Sequence, residues 1–165
     1  MTSTRQPTSA TAPAPRIVDL DRASVAALAP ALLELQRASY AVEARLIADD
    51  RIPPLHEGLD ALLAAELSWS ASLDDDGAPL GAIGYAVEGD TVDIDRLMVH
   101  PAAHRRGIGR RLVRHALTKA PRAIVATGRD NHPARELYER LGFEALDEVE
   151  VIPGLWIARY ARPSG

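Results

Sequence analysis

Between residues 67 and 99 the chain alternates apolar and polar side chains at period two in three runs, 67–73, 80–87 and 91–99, separated by Asp74-Asp-Asp-Gly77 and Glu88-Gly-Asp90. An extended strand turns successive side chains to opposite faces, and short breaks rich in Asp and Gly close hairpins, so these runs predict an antiparallel meander. Its apolar face has to be covered, and the flanking sequence supplies the cover. Upstream, Arg16-Ile-Val-Asp-Leu20 reads as a short strand, and residues 23–37 place Val25, Leu28, Leu32, Leu33 and Leu35 at helical spacing. Residues 40–66 also read as helical, interrupted at Ile52-Pro53-Pro54-Leu55, because neither proline fits a helix interior. Downstream, Ile108, Leu112, Val113, Ala116 and Leu117 make one apolar stripe of a helix over 108–118. Ala123-Ile-Val-Ala-Thr127 is a short buried strand, 133–141 a helix, and 143–162 a hairpin around Pro153-Gly154. The order βα(α)βββαβαββ predicts a mixed α/β (α+β) fold, with a central, mostly antiparallel sheet of six to seven strands flanked by helices, in a single domain over residues 16–165.

Composition narrows the function classes. With 165 residues, 47% of them hydrophobic and 25% charged, the chain can bury a sizeable core. Asp, Glu, Arg or His breaks every apolar run before the roughly 18 residues a membrane-spanning helix needs, so no membrane partner is expected. Residues 1–15 are rich in Ser, Thr, Ala and Pro without an apolar segment, and are expected to be a disordered leader outside the domain. The absence of cysteine removes disulfides, thiolate metal sites and a cysteine nucleophile; no metal site is expected, and a cytoplasmic location fits. A net charge of -4 gives no reason to expect nucleic acid, yet Arg105, Arg106, Arg110, Arg111 and Arg114 crowd one short stretch, which suggests a local anion.

That stretch follows a strand and opens a helix: Asp95-Arg-Leu-Met-Val-His-Pro-Ala-Ala-His-Arg-Arg-Gly-Ile-Gly-Arg-Arg-Leu112. Glycines let backbone N–H groups converge, and a helix N-terminus adds unpaired donors and about half a positive charge, so Gly107 and Gly109 suit a phosphate as well as they suit a plain tight turn. No Gly-Lys-Ser/Thr follows, and Leu112 stands where a dinucleotide fingerprint has its third glycine, which argues against ATP and NAD.

Leu97-x-Val99-x-Pro101, Arg105-Arg-Gly-Ile-Gly-Arg110, Asn131-x-Pro-Ala134 and Leu137-Tyr-Glu-Arg-Leu-Gly-Phe143 occur in an order and spacing that resemble the signature motifs of the GCN5-related N-acetyltransferase (GNAT) family. By motif the resemblance covers residues 80–143; the flanks match by element order. It implies a sheet splayed at the strand before the Arg-Arg-Gly-Ile-Gly loop, and acetyl-CoA as co-substrate. The pyrophosphate would lie on backbone amides of His104, Arg105, Arg106, Gly107, Ile108 and Gly109, although His104 stands where the family usually has Arg or Gln. Arg105, Arg106, Arg110 or Arg111 could add charge to the phosphates. Leu97, Met98 and Val99 would bind the pantetheine arm through their main chains, and Asn131 would contact it while capping the next helix. Tyr138, whose spacing with Ala134, Leu137 and Leu141 reads as a buried face, would by the same resemblance donate a proton to the departing thiolate.

An amine with a pKa near 10.4 costs about 4 to 5 kcal/mol to deprotonate at neutral pH, so a base is useful. Asp93 and Asp95 share one side of an ideal strand just before the loop, where the family often places its base, although a bulge common in that strand would break the alternation. Glu43 and His56 are weaker candidates. The reading is an N-acetyltransferase acting on a primary amine, carried by a small molecule or a peptide, with Glu43, Asp49, Asp50 and Glu57 favouring a cationic acceptor. The alternative is a non-catalytic acyl-CoA sensor or structural partner with the same fold. A homodimer is compatible with the resemblance.

Overall fold

The alternating runs become strands close to their expected limits. The computed structural model describes residues 14–165; of the expected leader, residues 1–13 lie outside the described residues. The strands are β1 (Arg16–Leu20), β2 (Ser68–Leu73), β3 (Pro79–Glu88), β4 (Thr91–Val99), β5 (Arg122–Gly128), β6 (Glu144–Ile152) and β7 (Leu155–Arg162). They form a seven-stranded sheet in the order β1-β2-β3-β4-β5-β7-β6, antiparallel at every pair except β4 and β5, which run parallel. The helices are α1 (Arg22–Ile47), α2 (Pro53–His56), α3 (Leu59–Ala64), α4 (Ile108–Ala116) and α5 (His132–Arg140). Among the described residues no helix is long and apolar enough to cross a membrane.

Each face of the sheet has its own core. On one, Ala29, Leu32 and Leu35 of α1 and Leu62 of α3 pack on Trp69, Ala71, Ala82 and Met98. On the other, Ile108, Leu112 and Val113 of α4 and Tyr138 of α5 pack on Ile83, Tyr85, Val92, Ile94, Val125 and Tyr160.

Helix α1 is the main departure from the sequence reading. The expected break between residues 37 and 40 is absent, and the helix runs ten residues beyond Arg37 to Ile47, passing through Pro30. Leu32, Leu35, Gln36 and Tyr40 are all buried and fall on one face at helical spacing, so the stripe that drives the helix onto the sheet continues past the expected end. The side chain of Asp21 caps the start by accepting from Ser24 N at 2.8 Å. The helix stops at Ala48, which adopts a left-handed φ of 53° and returns its N–H to Ala44 O and Arg45 O. Pro53 and Pro54 then occupy the first turn of α2, where a missing N–H costs nothing.

Strand β4 carries a bulge. Its register against β3 shifts between Ile94, opposite Tyr85, and Arg96, opposite Gly84, which leaves Asp95 as the extra residue. A one-residue insertion exchanges the faces of everything beyond it. Accordingly Val92 and Ile94 belong to the α4 face, whereas past the bulge Leu97 and Val99 take that face and Met98 packs under α1.

Helix α4 is tied to the sheet edge by Asp19 of β1. Asp19 accepts from Lys119 Nζ, Ser70 Oγ and His115 Nε2, each at 2.7 Å, and these bonds, led by that from Lys119, hold its carboxyl well below the usual carboxylate range. A carboxylate with a depressed folded-state pKa contributes stability above its unfolded pKa of about 3.9 and loses it as pH falls below that value. Asp19→Asn is therefore expected to melt below wild type at pH 7, with the gap narrowing as pH falls under about 4. Melting temperatures across that range check it, and a gap that stays constant would contradict the assignment.

Candidate active site

The parallel pairing of β4 with β5 ends at Ile94 opposite Val125, so from the bulge to Val99 the backbone of β4 has no strand beside it on that side. The opening is a cavity of about 210 Å³ lined by Ile94, Asp95 and Leu97 of β4, residues 125–128 of β5, Asn131, Ala134 and Tyr138 around α5, Tyr40 and Glu43 of α1, and Ile52, Pro54 and Ile157.

The backbone donors of this edge follow from the alternation of the strand. His100 N donates to Leu80 O of β3 at 2.9 Å, so the N–H groups of Met98 and His100 face β3, and those of Leu97 and Val99 face the opening. Val99 N is met by Ser39 Oγ of α1 at 3.3 Å. Of the three β4 residues expected to contact pantetheine, Leu97 and Val99 thus present amides to the cleft. Met98 is paired with Ala82, and its side chain is fully buried under α1.

At the far end of β4 a 3₁₀ turn, Pro101–Ala103, leads to the glycine loop. Gly107 stands just before α4 with φ 73°, a conformation closed to most side chains, and caps the helix without any side-chain hydrogen bond. Arg105 also takes a positive φ of 62°, a costly choice for a residue with a Cβ. These turns bring consecutive amides toward the N-terminus of α4, whose first N–H groups have no intrahelical partner. Ile108 anchors the loop by burying its side chain in the core, while His104, Arg105, Arg106 and Arg110 remain exposed around it. Residues 104–110 thus combine three exposed arginines, Arg105, Arg106 and Arg110, with the unpaired first amides of α4, a set of donors suited to phosphate oxygens.

The chemistry-bearing side chains separate cleanly. Asp95, thrown out by the bulge, lines the cleft, with Oδ2 accepting from Arg96 Nε at 2.8 Å. Asp93 lies in the paired part of the sheet, between Ala86 and Ile124, and does not line the cleft; burial, and then the carboxylates of Asp95 and Glu88, raise its pKa. Tyr138 is 3% exposed, and burial first, Glu43 second, push its phenol well above the ordinary range, so it keeps its proton. Asn131 lines the cleft and caps α5 by accepting from Ala134 N at 3.3 Å. Glu43 Oε1 accepts from Gly128 N at 3.1 Å, which fixes the α1 wall against the end of β5. His56 is held by Asp50 O at 2.6 Å and does not line the cleft.

Sequence reasoning missed several residues here. Tyr40 is a second buried tyrosine in the cleft, its phenol raised by burial and then by Glu43 and Tyr138. Ser39 and Gln36 were also passed over. The signal was present: residues 36, 39, 40, 43 and 47 recur at helical spacing, but only if α1 extends past Arg37. Of the acidic residues expected to attract a cation, Glu43 faces the cleft, whereas Asp49 is paired with Arg51 at 2.6 Å and Glu57 with Arg96.

Residues 29–143 match the model of the Acetyltransferase (GNAT) family. The chain belongs to this family of acyl-CoA-dependent acetyltransferases. It is 32% identical over 119 residues to the UPF0157 protein YqkA of Bacillus subtilis, covering 70% of this chain and 34% of that protein. It is 31% identical over 130 residues to the mycothiol acetyltransferase of Mycobacterium ulcerans, covering 68% of this chain and 41% of that protein. The chain thus spans well under half the length of these two relatives. Salmonella typhimurium YncA, solved with its cofactor acetyl-CoA, superposes with a TM-score of 0.65 at 17% identity, over 92% of this chain and 94% of that one, a likeness of fold.

Gly128 sets how closely α1 approaches the cleft. A Cβ there would sit 2.8 Å from Ile47 Cγ2 and 3.2 Å from Glu43 Oε1. Gly128→Ala is expected to destabilise the fold by about 1 to 3 kcal/mol through overpacking, read as a lower urea midpoint with an unchanged slope.

Proposed function

We propose that this chain transfers an acetyl group from acetyl-CoA to a primary amine by direct attack on the thioester. The observation that carries the reading is the cleft where β4 leaves β5. In one place it joins a strand edge with a free amide at Leu97, a carboxylate at Asp95 and a protonated phenol at Tyr138, at the end of β4 that leads to the glycine loop.

The bound acetyl-CoA supplies an activated acyl group. The protein's part is to hold it, take one proton and give one. The amides of residues 105–109 and the charges of Arg105, Arg106 and Arg110 hold the pyrophosphate; the main chains of Leu97 and Val99 pair with the pantetheine amides, with Ser39 yielding Val99 N–H. Asp95 is the base. Its Oδ2 is engaged by Arg96, which leaves Oδ1 for the proton of the attacking ammonium, directly or through water. Leu97 N–H donates to the thioester oxygen as charge builds there. The amine left when Asp95 takes that proton attacks the carbonyl, and the new C–N bond replaces the C–S bond. Tyr138 protonates the departing sulfur, and the nitrogen's remaining excess proton returns to the Tyr138 oxygen as the amide forms. Burial disfavours phenolate and thiolate alike, so a raised phenol remains a competent donor. Tyr40 lines the same cleft as a second buried phenol, and Glu43, also in the lining, favours a cationic acceptor. Among the described residues the cleft is lined by two carboxylates and by no Lys, Arg or His.

Turnover of acetyl-CoA against a panel of amines, followed by thiol release, tests the reading, with no protein thiol to interfere. Tyr138→Phe and Asp95→Asn are each expected to lower kcat/KM for the amine by about 10²-fold, with acetyl-CoA binding retained. Gly107→Val is expected to weaken acetyl-CoA binding by about tenfold in calorimetry, since valine resists the left-handed φ the loop requires. Acetyl-CoA binding without turnover of any amine would instead favour a sensor.

A further inference from the structure

The side chain of Arg96 is almost entirely buried, at 8% exposure, and every part of its guanidinium is engaged. Nε donates to Asp95 Oδ2 at 2.8 Å, Nη1 to Gln36 Oε1 at 2.9 Å and to Glu57 Oε2, and Nη2 to Glu57 Oε1 at 3.2 Å. Gln36, itself fully buried, turns its amide the other way and donates to Pro54 O at 2.7 Å and Glu57 Oε2 at 3.3 Å. Arg37 Nη2 reaches Glu57 O at 3.4 Å.

These bonds converge on residues 52–57, of which Ile52 alone is buried while Leu55 packs partly against the α1 core. Helix α2 has four residues, none of them buried, and neither α2 nor α3 has a side-chain cap. Yet Ile52 and Pro54, at the head of this segment, line the cleft, and so does Asp95 on the β4 bulge. A single guanidinium therefore joins two separate stretches of the lining. Its planar fork suits the job: one edge pairs both oxygens of Glu57 while Nε remains for Asp95, a geometry an ammonium cannot reproduce. Without it, the carboxylates of Asp95 and Glu57 would lie near one another uncompensated, with only the Gln36 amide left to hold that of Glu57.

We propose that Arg96 is a positioning residue that sets the acceptor side of the cleft, locking residues 52–57 onto the β4 bulge and aiming Asp95 into the opening. It touches neither the reacting atoms nor the phosphate loop, so its effect falls on the amine and not on acetyl-CoA. The anchoring of residues 52–57 stands on geometry alone; the effect on the amine rests on the acetyl-transfer reading above.

The test uses the full chain as wild type, Arg96→Met, Arg96→Lys and Glu57→Gln, with hydrogen exchange by mass spectrometry and steady-state kinetics for each substrate. In Arg96→Met, amides over residues 52–64 should exchange faster while those of α4 are unchanged. Its kcat/KM for the amine should fall at least about tenfold, with KM for acetyl-CoA within about twofold of wild type. Arg96→Lys should recover only part of this loss. Unchanged exchange over residues 52–64 overturns the proposal. So do equal losses for both substrates together with faster exchange throughout, which mark a residue that merely supports the fold. If Arg96→Met does not fold, Glu57→Gln decides: it keeps Arg96 paired with Asp95 and Gln36, and must still loosen residues 52–64 and raise KM for the amine. If wild type turns over no amine, the acetyl-transfer reading fails by itself, and exchange still decides whether Arg96 anchors the segment.

Discussion

Parallel pairing between β4 and β5 lasts only from Thr91 opposite Arg122 to Ile94 opposite Val125, and the remaining structure is organised around the point where it stops. An unpaired strand edge inside a protein is costly, because each buried N–H lacking a partner forfeits a hydrogen bond it would have made in water. The fold meets that cost in two ways. Ser39 reaches from α1 to Val99 N, and the rest of the edge is left open to a cleft. A strand edge that stays available, close to the glycine loop at the start of α4, suits an extended chain ending in phosphates, which is why it falls to coenzyme A in the proposed reaction.

The bulge at Asp95 makes this opening chemically useful. By adding one residue it reverses the faces of the distal half of β4, so that Leu97 and Val99 pack toward α4 and Met98 toward α1. The inserted residue has no place in the ladder, and its carboxylate stands at the cleft instead. Arg96 follows at once, and its guanidinium binds the carboxylate back to Glu57 and Gln36. A local irregularity of the strand thus provides both the charge and the means of orienting it.

Helix α1 supplies most of the opposing wall from one stripe. Gln36, Ser39, Tyr40, Glu43 and Ile47 succeed one another at intervals of one to four residues, and each meets the cleft or its supports. Close approach of this helix to β5 is possible because position 128 is glycine. The two buried phenols share the field of Glu43, which reinforces the effect of burial in keeping both protonated.

Much of this was legible in the residues alone. Period-two runs and their Asp-Gly breaks located β2, β3 and β4 to within a residue or so, because alternation and turn chemistry are local properties. The motifs over residues 97–143 identified the family for the same reason: amide-lined turns, a helix cap at Asn131 and the stripe bearing Tyr138 are all written over short stretches. Helix α1 was read too short because a polar interlude at residues 36–39 looks like a boundary until the sheet is in place to bury Gln36 and Tyr40. The choice between Asp93 and Asp95 lay beyond the sequence, since it turns on one bulged residue whose position is set by the pairing of β4 with β3. So did the roles of Ser39 and Glu43 and the pairing of Arg96 with Glu57, which join residues between 39 and 85 positions apart in the chain. Local spacing determined which elements exist and which family they compose. Only tertiary packing decided which charges meet, because charge pairing depends on distances that no local pattern contains.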